Sequence, residues 1–192
     1  MSASTAHASP IEEVIDGEIV RFARINCRGY GVYEDAVRAN KVAAAEQAAR
    51  NQGDKMPAAE KAGFVYQSSQ SITDGDVAKY LATHKGALSA CRDSLIRAGR
   101  TAADADAILD KTDFPTARDI ALQVVGLISF AAQPSVAEAK SRDWDTEVLL
   151  IREYCKNIGD PGELTIQQFD QALEIAKMRK QQAAQQPAAP QV

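Results

Sequence analysis

A stretch of apolar residues from Ile120 to Phe130 constrains the fold of this 192-residue chain more than any other feature of its sequence. Large apolar side chains occur around nearly the whole circumference that this stretch would have as a helix. A helix that is apolar on all sides is normally buried on all sides. The surrounding apolar run, 120–132, is interrupted by polar and glycine residues and is far shorter than the roughly 20 residues of a membrane span. The stretch therefore predicts a central helix around which the other elements of a soluble protein pack.

The composition and charge of the chain argue against several classes of function. Hydrophobic residues make up 45% and charged residues 25% of the chain, as in ordinary globular proteins. The formal net charge is −4, whereas proteins that bind nucleic acids usually carry a concentrated basic excess. Cys27, Cys91 and Cys155 lie too far apart for a disulfide framework or a zinc site, which favours buried thiols in a reducing compartment. Because residues 1–10 carry no signal-peptide pattern, we predict a cytoplasmic protein without a membrane segment.

Low-complexity composition at both ends predicts two tails around one folded domain. Residues 1–10 are rich in Ser and Ala, and residues 181–192 read QQAAQQPAAPQV; neither segment has much apolar surface to bury. We therefore predict disordered tails at 1–10 and 181–192, and one helical domain over 11–180. Within that domain, a proline, a glycine and a polar QSSQS run predict a loop at 53–71.

The domain begins with the pattern of a β-hairpin at residues 11–25. Two segments rich in β-branched residues, 11–15 and 18–25, flank Asp16-Gly17, a pair that favours the two-residue type I′ turn. Val20 and Phe22 fall on one face of the second arm. Because an isolated hairpin is marginal in water, this one is expected to pack on helices or on a partner.

The rest of the domain carries helical periodicity and helix-start signals. An Ala-rich segment over 30–52 has strong helix propensity but little side chain to bury, so it either projects or packs closely against another helix. Hydroxyl residues followed three positions later by Asp, Glu or Gln mark further helix starts, as at Thr73, Thr101, Ser135 and Thr165. The predicted later helices are 74–85, 87–98, 102–111, 115–132, 136–141, 145–157 and 166–181.

These elements predict a mostly α fold, namely a single helical-bundle domain with a short N-terminal β-hairpin. The side chains expected to pack around the central helix share the apolar positions of the helical pattern. They are Val77, Leu81, Leu88, Leu95, Ile108, Leu109, Leu149, Ile151, Phe169 and Leu173.

Residues with catalytic potential are few. The histidines are His7 and His84, and His84 is expected at the end of a helix, where a positive charge is favoured. Cys91 follows His84 by two helical turns, so the two could act as a nucleophile and its base. Carboxylate pairs such as Asp74 and Asp76 stand at helix starts, where the helix dipole accounts for them. A buried structural thiol explains Cys91 equally well, and we predict no catalytic, cofactor-binding or metal site.

Residues 157–169 (NIGDPGELTIQQF) resemble an EF-hand loop that enters its second helix, with Gly162 matching the turn glycine. Gly159 and Pro161 stand where acidic ligands are expected, and Gln168 replaces the bidentate glutamate, so the segment departs from the calcium-binding pattern. A capped helix after a turn accounts for the same residues, and we favour that interpretation.

The order of features resembles that of small phage tail-assembly chaperones: the hairpin VIDGEIVRF, an all-helical body and a polar tail. That resemblance implies a protein that binds long helical scaffolding partners and has no catalytic residues. We therefore expect a non-catalytic protein–protein interaction or assembly protein whose partner is another protein or a second copy, located in the cytoplasm or, as a viral structural protein, in the virion. The alternatives are a self-assembling structural subunit of a capsid, tail or filament, and a cysteine-dependent enzyme that uses Cys91 and His84.

Overall fold

The structure, a computed structural model, describes residues 9–52, 57–127 and 142–185. In these ranges the chain forms one two-stranded antiparallel sheet and eight α-helices. The strands are β1 (Ile11–Ile15) and β2 (Glu18–Phe22), and the helices are α1 (Cys27–Asn51), α2 (Ala58–Gln70), α3 (Asp74–Leu81), α4 (His84–Arg97), α5 (Ala102–Leu109), α6 (Phe114–Val125), α7 (Trp144–Tyr154) and α8 (Ile166–Gln185). A 3₁₀ turn, Pro161–Glu163, precedes α8. The predicted mostly α fold with an N-terminal hairpin is confirmed.

The hairpin forms around the turn that the sequence predicts. Asp16 and Gly17 have φ angles of 52° and 81°, which are the positive values that a type I′ turn requires at both central residues. The strands pair in register, and one face of the sheet is buried against the helices. The buried residues of that face are Ile11, Ile15, Val20 and Phe22.

The segment that follows β2 ties the hairpin to the helical body. β2 ends at Phe22, short of the predicted residue 25, because the next backbone groups bond to helices and loops instead of β1. The Ile25 amide donates to the Val124 carbonyl at 2.9 Å, and the Cys27 amide donates to the Leu164 carbonyl at 2.8 Å. These bonds satisfy buried backbone groups that would otherwise be costly.

Helix α6 lies in the core and packs against α4. It ends at Val125 because Gly126 adopts the left-handed conformation, with φ of 84°, which is a common helix stop. The predicted helix 115–132 is therefore too long, and its residues 128–132 lie outside the described ranges, as does the predicted helix 136–141. The buried residues of this part are Ala117, Ile120, Ala121, Leu122, Val124, Val125 and Leu127.

The predicted core residues lie in the core or pack against it, except Leu149. Leu149 is 66% exposed, whereas Ile151 on the same helix is fully buried. Residues two positions apart on an α-helix lie about 200° apart around its axis, so the two cannot share a face. The prediction that both pack inward was wrong for Leu149.

The predicted loop at 53–71 was also wrong, because residues 58–70 form α2. Pro57 immediately precedes the helix, where its fixed φ and missing N–H are tolerated. The polar QSSQ end is also helical, and the Ser68 and Ser69 hydroxyls donate to carbonyls of the preceding turn, each at 2.8 Å. Residues 53–56 lie outside the described ranges.

The predicted C-terminal tail at 181–192 begins too early. Helix α8 continues to Gln185, because Gln and Ala favour the helical state and the first proline of the tail comes only at Pro187. The remainder of this tail, residues 186–192, and residues 1–8 of the predicted N-terminal tail lie outside the described ranges.

Candidate interaction surface

The structure places Cys91 and His84 in different environments. Cys91 is fully buried and its Sγ donates to the Ala117 carbonyl at 3.2 Å; burial raises the pKa of the thiol to about 12. His84 is exposed and begins α4 after the N-cap Thr83, so the prediction of a helix-end position that favours positive charge was wrong. Its ring packs 5.6 Å from that of Phe114. A buried neutral thiol and an exposed imidazole do not form an activated pair.

All three cysteines are free and buried, as the sequence predicts. Burial raises the pKa of the Cys27 thiol, like that of Cys91, to about 12. The Cys27 and Cys91 thiols therefore stay protonated at neutral pH, and buried thiols behave as small apolar groups of the core.

The segment that resembles an EF-hand folds as a turn followed by a capped helix. The Asp160 carboxylate, which falls between the positions that would supply metal ligands, pairs with Arg28 and Arg152. At the start of α8, the Thr165 amide donates to Gln168 Oε1 at 3.0 Å and the Gln168 amide donates to Thr165 Oγ1 at 3.3 Å. Within the described ranges, no group of three or more His, Cys, Asp or Glu side chains is placed to hold a metal ion. The capped-helix interpretation is confirmed.

A buried cluster of charged groups centres on Arg142, just before α7. Its Nε and Nη2 donate to the two carboxylate oxygens of Asp74, each at 2.9 Å, and its Nη1 donates to Asp170 at 2.8 Å. The side chains of Arg142 and Asp74 are each 1% exposed. Because Asp74 begins α3 and Asp170 lies in α8, one guanidinium joins three parts of the fold.

Aromatic side chains of α1 and α7 surround this guanidinium. The Tyr30 hydroxyl donates to Asp74, and the Trp144 ring centre lies 5.2 Å from the guanidinium carbon of Arg142, within cation–π range. The indole N–H of Trp144 donates to Glu34 at 2.8 Å. The cluster thus connects α1, α3, α7 and α8.

The electrostatics of the cluster favour a permanently charged Arg142. Burial opposes its charged form, but hydrogen bonds to Asp170 and Asp74 outweigh that effect and raise its pKa. The donors and acceptors of this cluster pair with each other in the protein interior. This is the arrangement of a structural ion-pair network and not of an open binding site. Sequence reasoning missed it, because the interpretation of Asp74 as a helix-dipole partner explained its position without Arg142.

In contrast to this buried cluster, α2 lies on the surface of the protein. None of its 13 residues is buried, and it packs mainly against α1, whose later buried positions are Ala45 and Ala49. The Ala-rich helix therefore packs closely against another helix, one of the two outcomes that the sequence left open. Phe64 and Tyr66 of α2 are 42% and 64% exposed. We call residues 41–51 and 58–70 the α1–α2 arm.

A groove of about 640 Å³ runs between the two helices of this arm. Its residues are Glu46, Ala49, Arg50, Lys61, Ala62, Val65, Tyr66 and Ser69. Small apolar side chains line it, Tyr66 is its largest side chain, and its charged groups have both signs. An apolar concave surface with a few polar groups is typical of a binding site. It can hold apolar side chains of another helix.

The outer face of the hairpin is a second exposed apolar feature. Val14 and Ile19 are directly opposite each other in the sheet and are 64% and 66% exposed. Beside them Arg21 pairs with Glu12 at 2.8 Å. A single cross-strand pair is a smaller feature than the groove of the arm, but it offers a matched control surface.

The fold and these surfaces define a mostly α-helical domain with an exposed two-helix arm. Comparison of the chain with protein-family models, with curated proteins and with solved structures finds no match. In the parts of the chain that the structure describes, no helix is both long and apolar enough to cross a membrane.

Proposed function

We propose that this protein is a non-catalytic protein-binding protein that engages its partner through the α1–α2 arm. The observation that carries the proposal is α2: a 13-residue helix with no buried residue that displays Phe64 and Tyr66. Isolated helices of this length are marginal in water, and most helical stability comes from packing of an apolar face. Aromatic residues are also enriched where proteins bind each other. A partner that covers this arm would supply the missing packing.

The resemblance of the hairpin and helical body to small phage tail-assembly chaperones supports a more specific role in assembly. An assembly chaperone or adaptor of that kind binds a long helical partner, and the exposed surface of α2 that carries Phe64 offers an apolar contact for such a helix. We extend the proposal to this role, in the cytoplasm.

The experiment that tests the proposal is affinity capture from a lysate of the cells that express the protein. The double variant Phe64→Ser/Tyr66→Ser is expected to lose the partner that the unchanged protein retains, because it removes the large apolar groups of the arm. The matched control is Val14→Ser/Ile19→Ser, which removes an apolar pair at least as exposed from the hairpin and is expected to keep the partner.

Circular dichroism establishes that each variant remains folded. Capture that survives the arm variant would contradict the proposal, and so would capture that only the hairpin variant abolishes. A discrete large particle formed by the pure protein, with no captured partner, would favour the alternative of a self-assembling structural subunit.

A further inference from the structure

We propose that the groove of the α1–α2 arm binds the same groove of a second copy of this chain, so that two arms pair into a four-helix unit. This inference rests on the proposed function, because it uses the same arm. It assigns a second copy of the chain to the groove of the arm. Two features of the arm support a second copy as the occupant, namely its layer structure and its charge pattern, and the area of the arm sets the expected affinity.

The two helices of the arm form a single layer with a thin interface. Ala45 and Ala49 are the buried residues of α1 in this region, and α2 contributes none. Helices gain stability by burying an apolar stripe against another layer, and bundles of four helices are a common solution. The groove supplies a concave apolar strip, and Tyr66 beside it supplies a convex anchor. A twofold axis places the Tyr66 of each copy against the groove of the other, as in an isologous interface.

The charges beside the groove are self-complementary. Glu46 and Arg50 lie on α1, where they form an ion pair at 3.8 Å, and Lys61 lies on α2. A twofold arrangement can oppose Glu46 of one copy to Lys61 or Arg50 of the other, and the reverse contact forms at the same time. A partner of a single charge sign would be repelled by part of this set, which favours a second copy over a uniformly acidic or basic helix.

The area of the arm predicts a weak dimer. The 13 residues of α2 give a helix of about 20 Å at 1.5 Å per residue. Two helices about 10 Å apart present a face about 20 Å wide, hence roughly 400 Å², about half of the ~800 Å² per partner in a stable interface. We therefore expect a concentration-dependent monomer–dimer equilibrium with a dissociation constant in the micromolar range or weaker.

Phe64 provides the internal control. It lies two positions before Tyr66, about 200° around α2, and it is not among the residues that line the groove. In the proposed dimer Phe64 stays exposed on the opposite flank, where a different protein can reach it. Substitutions at Phe64 and Tyr66 thus separate the two roles of the arm.

The test is sedimentation velocity of the full chain from about 5 to about 500 μM, a range that spans the dissociation constants of small interfaces. The unchanged protein is expected to shift from monomer to dimer. Tyr66→Ser is expected to weaken the dimer at least about tenfold, as loss of a central aromatic anchor does, whereas Phe64→Ser leaves the equilibrium unchanged.

Charge reversal tests which charged side chains of the two copies lie opposite each other in the dimer. Glu46→Lys and Lys61→Glu are each expected to weaken the dimer, and the double variant is expected to restore it, because the opposed pair is re-formed with the signs exchanged. Far-UV circular dichroism confirms that each variant keeps its helices.

A monomer at every concentration would overturn this inference, as would a dimer that Tyr66→Ser leaves intact. Neither outcome would affect the proposed function, which is tested by partner capture in the presence and absence of both aromatic side chains. Conversely, a Tyr66-dependent dimer that captures no other protein would confirm the inference and reject binding of a different protein.

Discussion

At the scale of single residues, the tight connection between α3 and α4 depends on Gly86. A Cβ at this position would lie 2.1 Å from the Tyr80 carbonyl oxygen and 2.8 Å from its carbon. Those atoms belong to the backbone of α3, so they cannot move aside as the end of a flexible side chain would. Thr83 caps α4 by accepting a hydrogen bond from the Gly86 amide at 3.1 Å, which fixes the position of the glycine. The close approach therefore requires a residue without a side chain.

Gly86→Ala is expected to lower the free energy of unfolding by about 3 kcal/mol, because overpacking against backbone forces the helices apart. Gly31→Ala is the matched control: Gly31 lies in α1 and a Cβ there meets no atom within 4 Å. The control is expected to raise stability by about 0.5–1 kcal/mol, the usual gain from glycine to alanine in a helix. Urea denaturation measures the change in the free energy of unfolding for both variants. Equal effects of the two substitutions would disprove the steric argument.

At the scale of elements, the start of α3 combines a local cap with a tertiary contact. Thr73 and Asp76 form a reciprocal capping box, as the sequence predicts. Lys41 of α1 adds an ion pair to the same carboxylate at 2.8 Å and donates to the Ser71 carbonyl at 3.0 Å. Burial raises the pKa of Asp76, but hydrogen bonds from Lys41 and Thr73 outweigh it and hold the pKa below its usual value. The cap thus also anchors the base of the α1–α2 arm.

Asp76 is expected to make stability depend on pH. Because its pKa is lower in the folded state, its ionised form stabilises the fold above the unfolded-state pKa of about 3.9, and this contribution disappears as the pH falls through the folded-state pKa. Asp76→Asn is expected to cost about 1–2 kcal/mol at pH 7, and the difference from the unchanged protein should shrink below about pH 3.9. Thermal unfolding of both proteins across this pH range measures the difference in stability. A difference that stays constant with pH would contradict the assignment; Asp35→Asn, at a mostly exposed position of α1, is the control.

At the scale of the whole molecule, the Arg142 cluster holds together helices that are distant in sequence. Asp74 and Arg142 are 68 positions apart, and Asp170 is a further 28 positions along the chain. Tyr30 of α1 and Trp144 of α7 contact the same guanidinium. A bidentate ion pair with a further carboxylate fixes the orientation of the guanidinium relative to the carboxylates as well as the distance between them. This cluster therefore sets how α1, α3, α7 and α8 are arranged.

Arg142→Met is expected to cost about 3–5 kcal/mol at neutral pH, because it leaves the Asp74 carboxylate buried without its cation. The control Arg21→Met removes an ion pair with Glu12 in which both side chains are at least half exposed, and it is expected to cost less than about 1 kcal/mol. Equilibrium denaturation distinguishes the two. Similar small losses for both variants would show that the buried pair contributes orientation without net stability.

Local features of this chain could be predicted because their physics is local. The Asp16-Gly17 turn, the capping boxes at Thr73 and Thr165 and the apolar stripe of α6 each depend on residues a few positions apart. The length of α6 was misjudged because Gly126 acts as a stop and not as a tolerated interruption. Residues 53–71 were misassigned because a proline that precedes a helix looks, in sequence, like a proline inside a loop.

The candidate site was less accessible to sequence reasoning. The Ala-rich composition of the first helix left open whether that helix projects or packs closely against another helix, and the structure shows that it packs against α2. Phe64 and Tyr66 could equally have been core residues by their chemistry, and only the position of α2 outside the body leaves them exposed.

The fold class, the hairpin turn, most helix starts and the burial of the three thiols could be predicted from the amino-acid sequence, since these follow from backbone conformation, capping and hydrophobic periodicity. The contact of Asp74 with Arg142, the outward position of Leu149 and the exposure of the α1–α2 arm became apparent only in the folded structure. The physical reason is that these contacts join residues far apart in the chain. Their formation depends on how whole helices pack, and no short-range pattern encodes that.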